Sequence, residues 1–328
     1  MFRKAVLLSI VFSLFQPARV FACDACACTF NARNQDLGRE ASGPMVTTPT
    51  ANTFGKGHAS AGFVFEHMRY NKIPAGDAHE LHHDDREVHG KDHEEFYTFS
   101  LGYGVLDNLD IFISASVVSK TSIEIDSHAR LGKKEAATGF GDLSIIGKYR
   151  FWQQGVDMAL LLGVKAPTGY ASDTKENGAK FEIEQQPGSG SWDLTTGLAM
   201  SRSFAKHASV ASTFRYTTRG EGGQEHKRGD NFHYDLGLSY ALKPLGEHPN
   251  LSFVLELRNE WARRDHSRHD DRVLDSGGIT ILLSPGLAAD ITENLAVFWS
   301  LPMPIYQDLG GEHEELAYST IAGLSLHF

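Results

Sequence analysis

From residue 57 onward, apolar and polar residues alternate at every second position, again and again, in runs of roughly ten to fourteen residues, and helical spacing is nearly absent. In the stretch 96–105, Tyr97, Phe99, Leu101, Tyr103 and Val105 share one face, while Thr98, Ser100, Gly102 and Gly104 share the other. Such a segment is a strand with one apolar and one small or polar side. The same spacing recurs at 57–69, 94–105, 109–120, 139–152, 157–167, 190–203, 208–218, 229–243, 249–262, 277–290, 295–306 and 314–328, which predicts about twelve strands. They exceed the roughly five or six residues usual in globular sheets and match the ~9–11 that a tilted strand needs to cross a bilayer.

The connections alternate in length. Short ones are Asp107-Asn108, Gln153-Gln154-Gly155, Ala205-Lys206-His207, the stretch 246–249 and Thr292-Glu293-Asn294. Long ones, all polar and charged, run near 70–93, 121–138, 168–189, 219–228, 263–276 and 307–313. Short turns at one end and long loops at the other predict an all-β, transmembrane, antiparallel up-and-down β-barrel. Its short turns and, with an even strand number, both its N- and C-termini are expected in the periplasm. No water in the lipid can satisfy an open edge, so the first and last strands must pair. The last strand ends on Phe328, and an alternating strand closed by a terminal aromatic residue resembles the segment by which outer-membrane proteins are recognised for insertion.

The first residues refine this picture. Arg3 and Lys4 precede a nearly continuous apolar run at 5–15, and Val20-Phe21-Ala22 suits a signal peptidase acting before Cys23. The run is too short to span a bilayer as a helix, which takes about 20 residues. The expected organisation is a signal peptide at 1–22, a segment at 23–56 that is either periplasmic or a plug in the barrel, and an outer-membrane barrel at 57–328 in a Gram-negative cell. A net charge of −10, with 31 basic residues scattered among 41 acidic ones, leaves no continuous positive surface for nucleic acid. The expected partners are outer-membrane lipid and a small-molecule or metal-ion solute. The sequence carries no signature of oligomeric state.

If the apolar faces meet lipid, the opposite faces carry Glu66, Asp142, Lys148, Arg150, Lys165, Asp193, Arg215, Asp235, Glu256, Arg258 and Glu260 into the lumen. Charges of both signs inside a barrel must be paired or wetted. They either fill and stiffen the lumen or form a selectivity zone along a permeation path.

The sixteen histidines are unevenly placed. His79, His82, His83, His89 and His93 fall in the first long loop, His266 and His269 in the fifth, and His128, His226 and His313 add one each to other loops. Imidazole beside Asp and Glu can ligate zinc, copper, nickel or iron, and several loops converging above a barrel could supply a full set; a hydrated, soluble loop is the competing reading. All three cysteines, Cys23, Cys26 and Cys28, lie together. Their options are a disulfide or free thiols, a soft metal ion, or lipidation at Cys23. The spacing lacks the histidine that haem attachment requires. Serines and histidines form no recognisable nucleophile–base constellation, so no enzyme is expected.

The stretch Gly139-Phe140-Gly141-Asp142-Leu143-Ser144-Ile145-Ile146-Gly147-Lys148-Tyr149-Arg150-Phe151, with the later Val164-Lys165-Ala166-Pro167-Thr168-Gly169, resembles a family of outer-membrane transporter-like proteins labelled as the meta pathway of phenol degradation. That resemblance implies a barrel and uptake of a hydrophobic or aromatic small molecule. From the residues themselves, the expected function is a channel or transporter for small solutes, with transition-metal ions bound by the histidine-rich loops as its more specific form. A non-conducting surface-binding barrel is the alternative.

Overall fold

The computed structural model describes residues 43–71, 89–125, 131–267, 273, 276–309 and 314–328. The strands are β1 (Ala59–Tyr70), β2 (His89–Leu106), β3 (Leu109–Ile125), β4 (Leu131–Phe140), β5 (Leu143–Gln154), β6 (Val156–Ala166), β7 (Asp193–Ala205) and β8 (Ala208–Arg219). They continue with β9 (His226–Lys227), β10 (Asn231–Ala241), β11 (Asn250–Ala262), β12 (His266–Ser267), β13 (Gly278–Asp290), β14 (Leu295–Ser300), β15 (Met303–Leu309) and β16 (Leu316–His327). All pairings are antiparallel; β1 pairs with both β2 and β16, and β11 pairs with β13, so the ladder returns on itself. With β4 and β5 as two halves of one stave, and β14 and β15 as two halves of another, the described residues form a closed barrel of twelve staves. β9 and β12 make a separate two-stranded sheet in the long-loop region.

Alternation decides which face each side chain takes. Along β13 the residues at 278, 280, 282, 284, 286, 288 and 290 are buried and those between them are more exposed. Outward positions hold large apolar side chains all round the wall, among them Leu101 (63% exposed), Leu162 (60%), Phe253, Leu255 and Leu324. A belt of that size belongs in contact with lipid. Tyr149, Trp152 and Tyr240 stand near the short-turn end, and Trp192, Tyr306 and Tyr318 toward the long-loop end, as aromatic girdles do at the two interfaces. Replacing Leu162 with Arg should therefore cost about 2–4 kcal/mol near the midplane. Urea titration of barrel folded in lipid checks this; an unchanged midpoint would mean that the position does not face lipid.

Two regions depart from the sequence reading for identifiable reasons. The stretch 121–138, read as a loop because it is polar, mostly continues the wall: β3 runs on to Ile125 and β4 begins at Leu131, with Ser119↔Thr138 and Ser122↔Glu135 in register. Likewise β2 starts at His89 rather than near 94. Strands that project beyond the lipid have no need of an apolar face, so the periodicity signal fades before the strand ends. The segments 139–152 and 295–306, each read as one strand, are broken at Gly141-Asp142 and at Leu301-Pro302. Pro302 has no N–H to give a ladder, and beyond it β15 pairs with β13 while the Gln307 side chain bonds to both the N–H and the C=O of Leu316 on β16.

Candidate functional site

The lumen is occupied from both ends. At the short-turn end, residues 43–54 run through the interior, with Val46, Thr48, Ala51 and Thr53 fully buried. This segment belongs to no strand, so its buried backbone groups must find partners elsewhere. Inward side chains of the wall supply them. The Glu256 carboxylate accepts the N–H groups of Thr47 (2.9 Å) and Thr48 (2.7 Å), and the Asp110 carboxylate accepts that of Phe54 (3.1 Å). Ser209 and Ser201 hydroxyls accept from Gly43 and Ala51, and the Thr213 hydroxyl donates to the Pro49 carbonyl. Met45 and Val46 pack into a cluster with Val64, Ala211, Val254, Ala288 and Ile321, and Phe54 packs on Phe112 with ring centroids 5.3 Å apart.

Small residues make this fit possible. Gly55 and Gly57, both at φ +86°, turn the chain out of the lumen toward β1 in a conformation that glycine adopts without strain. Facing them, Gly104 leaves so little room that a Cβ there would lie 1.9 Å from the Gly55 carbonyl oxygen. Gly104→Ala should unseat this turn and speed proteolysis near residue 56 severalfold; an unchanged cleavage rate would contradict the contact.

At the long-loop end, the connection 167–192 folds inward, burying Phe181, Ile183, Gln186 and Ser189. Asp142, at the break between β4 and β5, holds both ends of this loop. Its carboxylate accepts from the Gly169 N–H (2.9 Å), the Ser189 N–H (2.9 Å) and the Ser189 hydroxyl (2.6 Å), and it faces Lys165 Nζ at 3.3 Å. Farther along the loop, Lys120 Nζ donates to the Glu184 carbonyl and Arg228 to that of Ile183.

Between the two insertions the wall has two characters. Over β6 to β11 it is charged. Asp235 lies between Arg215 (3.0 Å) and Arg258 (3.7 Å), Lys165 bridges Asp142 and Asp193 (2.7 Å), and Asn231 and Glu260 hold His233. Over β13, β16, β1, β2 and β3 the charges are interrupted by one buried apolar cluster, Leu282, Leu316, Met68, Tyr70, Phe96 and Val118, set beside the buried Glu66, Glu94 and Lys120. Near the long loops, Lys91, Glu94, Lys120, Glu184, Arg219, Arg228 and Asp265 line a narrow cavity of about 20 Å³, room for about one water molecule. Outside the strands, burial alone would raise the Asp265 carboxyl, but hydrogen bonds from His226 and the Gly229 N–H, with Arg228 nearby, hold it below its ordinary range.

Of the residues singled out from sequence, Glu66, Lys148, Arg150, Asp193, Arg215, Asp235, Glu256, Arg258 and Glu260 are all buried inside the barrel, with Asp142 and Lys165 at the loop junction. His93 bonds to Asp92 (2.9 Å) and stacks on His67, and His266 is an exposed residue of β12. His79, His82, His83, His269, Cys23, Cys26 and Cys28, and the side chain of His89, lie outside the described residues. The sequence reading omitted Asp110 and Lys120, although both share the inward parity of Phe112 on β3. It also omitted Glu184, because an inward-folding loop carries no periodic signal.

A family model described as the MetA-pathway of phenol degradation matches residues 85–301. No curated protein sequence matches the chain significantly. Among solved structures, an outer membrane channel from Pseudomonas putida F1 superposes with a TM-score of 0.61 at 13% identity, covering 85% of this chain and 98% of that one. The NanC porin (TM-score 0.45, 9% identity, 80% and 98% covered) and the CymD monoaromatic hydrocarbon channel (0.40, 10%, 84% and 89%) are more distant.

Proposed function

Because this chain belongs to the family described as the MetA-pathway of phenol degradation, we propose that it is a channel of the outer membrane for small organic solutes that combine an apolar ring with a polar or charged group. The observation that carries this reading is that the lumen offers both kinds of surface: the apolar cluster of Met68, Phe96, Val118, Leu282 and Leu316, and the ion pairs around Asp235 and Lys165. A solute with one face of each kind can move through without stripping either wall of its partners. The structural likeness to the Pseudomonas putida channel supports the barrel frame in which this path runs. In this reading the short turns and both termini lie in the periplasm, residues 43–56 are a plug, and the buried charges form the selectivity zone.

The test is liposome swelling with a hydroxybenzoate and with a neutral sugar of similar mass. The hydroxybenzoate should enter faster. Equal rates would remove the basis for solute selectivity, and no entry of either would favour a barrel that only binds.

A further inference from the structure

We propose that the outer constriction holds a transition-metal ion of the zinc, copper or nickel class on Glu184, His226 and Asp265, and that the bound ion clamps the inward loop shut. One ligand atom from each of the three side chains lies within 4.8 Å of the others. Each comes from a different connection: Glu184 from the inward loop between β6 and β7, His226 from that between β8 and β10, and Asp265 from that between β11 and β13.

Two of the ligands are fixed before any ion arrives. β9 and β12 pair His226 with Ser267 and Lys227 with His266, which brings the two loops side by side. His226 Nε2 lies 2.8 Å from Asp265 Oδ2, while Asp265 Oδ1 accepts the Gly229 N–H at 2.7 Å and the Asp265 N–H is held by the Ser276 hydroxyl. Ligand atoms on a tetrahedral zinc with bonds of about 2.0 Å sit roughly 3.3 Å apart, so His226 and Asp265, at 2.8 Å, need to part only slightly, while the Glu184 carboxylate, within 4.8 Å of both, closes in on the ion. The ion would replace the Nε2 proton that His226 gives to Asp265, leaving a neutral imidazole with its proton on Nδ1. The cavity that Glu184 and Asp265 line has room for the water that completes a fourth position.

The surrounding charge sets which ion fits. Lys91 Nζ stands 4.0 Å from the Glu184 carboxylate, and Lys120, Arg219 and Arg228 line the same cavity. These cations oppose any dication, so an ion bound by charge alone, such as magnesium or calcium, is excluded, whereas one with strong affinity for imidazole is retained. The consequence for the channel follows from Glu184. An ion joining it to two loops across the mouth holds the 167–192 connection in place, whereas the ion-free loop depends on the Lys120 and Arg228 contacts and the Asp142 staple at its ends.

The experiment uses the full mature protein folded in detergent, with zinc as the probe. Bound zinc is counted by mass spectrometry after dialysis, for wild type and for the His226→Gln, Asp265→Asn and Glu184→Gln variants. Heat-modifiable gel migration confirms that each is folded, and Glu184→Gln leaves the β9–β12 sheet untouched should either of the other two fail to fold. The expected result is one fewer ion per barrel in each folded variant than in wild type, and retention of zinc over added magnesium. The count is differential, so zinc held by other histidines or by the cysteines cancels. It also needs no conduction, so it is independent of the channel reading. Equal zinc in wild type and variants, or no zinc in wild type, overturns the proposal. In bilayers, zinc should lower wild-type conductance and leave that of Glu184→Gln unchanged; equal block of both would overturn the clamp.

Discussion

Removing residues 43–56 should raise unitary conductance severalfold. In the intact protein this segment passes through the lumen with its backbone bonded to Glu256, Asp110, Ser201 and Ser209, which lie on four different strands of the wall. A twelve-stranded barrel falls between eight-stranded ones, which their own side chains fill, and sixteen-stranded ones, which hold a water channel. An extra peptide chain therefore decides whether its short-turn half is open. Deletion leaves the ladder intact, because no strand of the barrel pairs with the segment. The freed carboxylates of Glu256 and Asp110 would then face water, which hydrates them in place of the lost N–H groups. Planar-bilayer recordings check the outcome. Equal conductance with and without the segment would mean that the barrier lies elsewhere, at the inward loop.

Replacing Asp235 with Ala should destabilise the barrel by about 3–5 kcal/mol, the range for breaking a buried ion pair while leaving its partner charge in place. Asp235 is fully buried, and its two oxygens face Arg215 and Arg258 from the flanking strands β8 and β11. Removing Arg215 as well should recover part of the loss, because one stranded charge is then absent. Urea unfolding of the two variants measures both effects. A loss well under 1 kcal/mol for Asp235→Ala would mean that water already shares these charges and that the lumen there is wet.

The barrel was legible in the sequence because lipid imposes the strictest alternation a strand can carry. Leu101, Ile113, Leu162 and Leu255 mark the outward face, and Glu66, Lys148 and Asp235 mark the inward one. The signal failed where the physical demand relaxes. Residues 131–138 form the start of β4 but stand beyond the lipid, so their polar character reads as loop. Counting by twos along β16 puts Leu316 on the outward face of Tyr318 and Leu324, yet a register shift between Arg69 and Tyr70 against β16 turns it into the inner apolar cluster. Composition does not show that 43–54 lies inside the barrel, since its partners are remote along the chain, Ser209 and Glu256 by more than 150 residues. Asp142 was visible as part of a motif, and pairing with a lumenal cation was expected of it. Its larger role, anchoring Gly169 and Ser189 at both ends of the inward loop, depends on a long connection folding back, which no local pattern encodes.

The most direct measurement is single-channel recording from the full mature protein, after heat-modifiable migration has established that it is folded. A conducting barrel narrowed by residues 43–54 and by the 167–192 loop should show discrete steps of small amplitude. Silence from folded protein under every voltage and salt condition would contradict the channel and leave a closed barrel that binds its ligands at the cell surface.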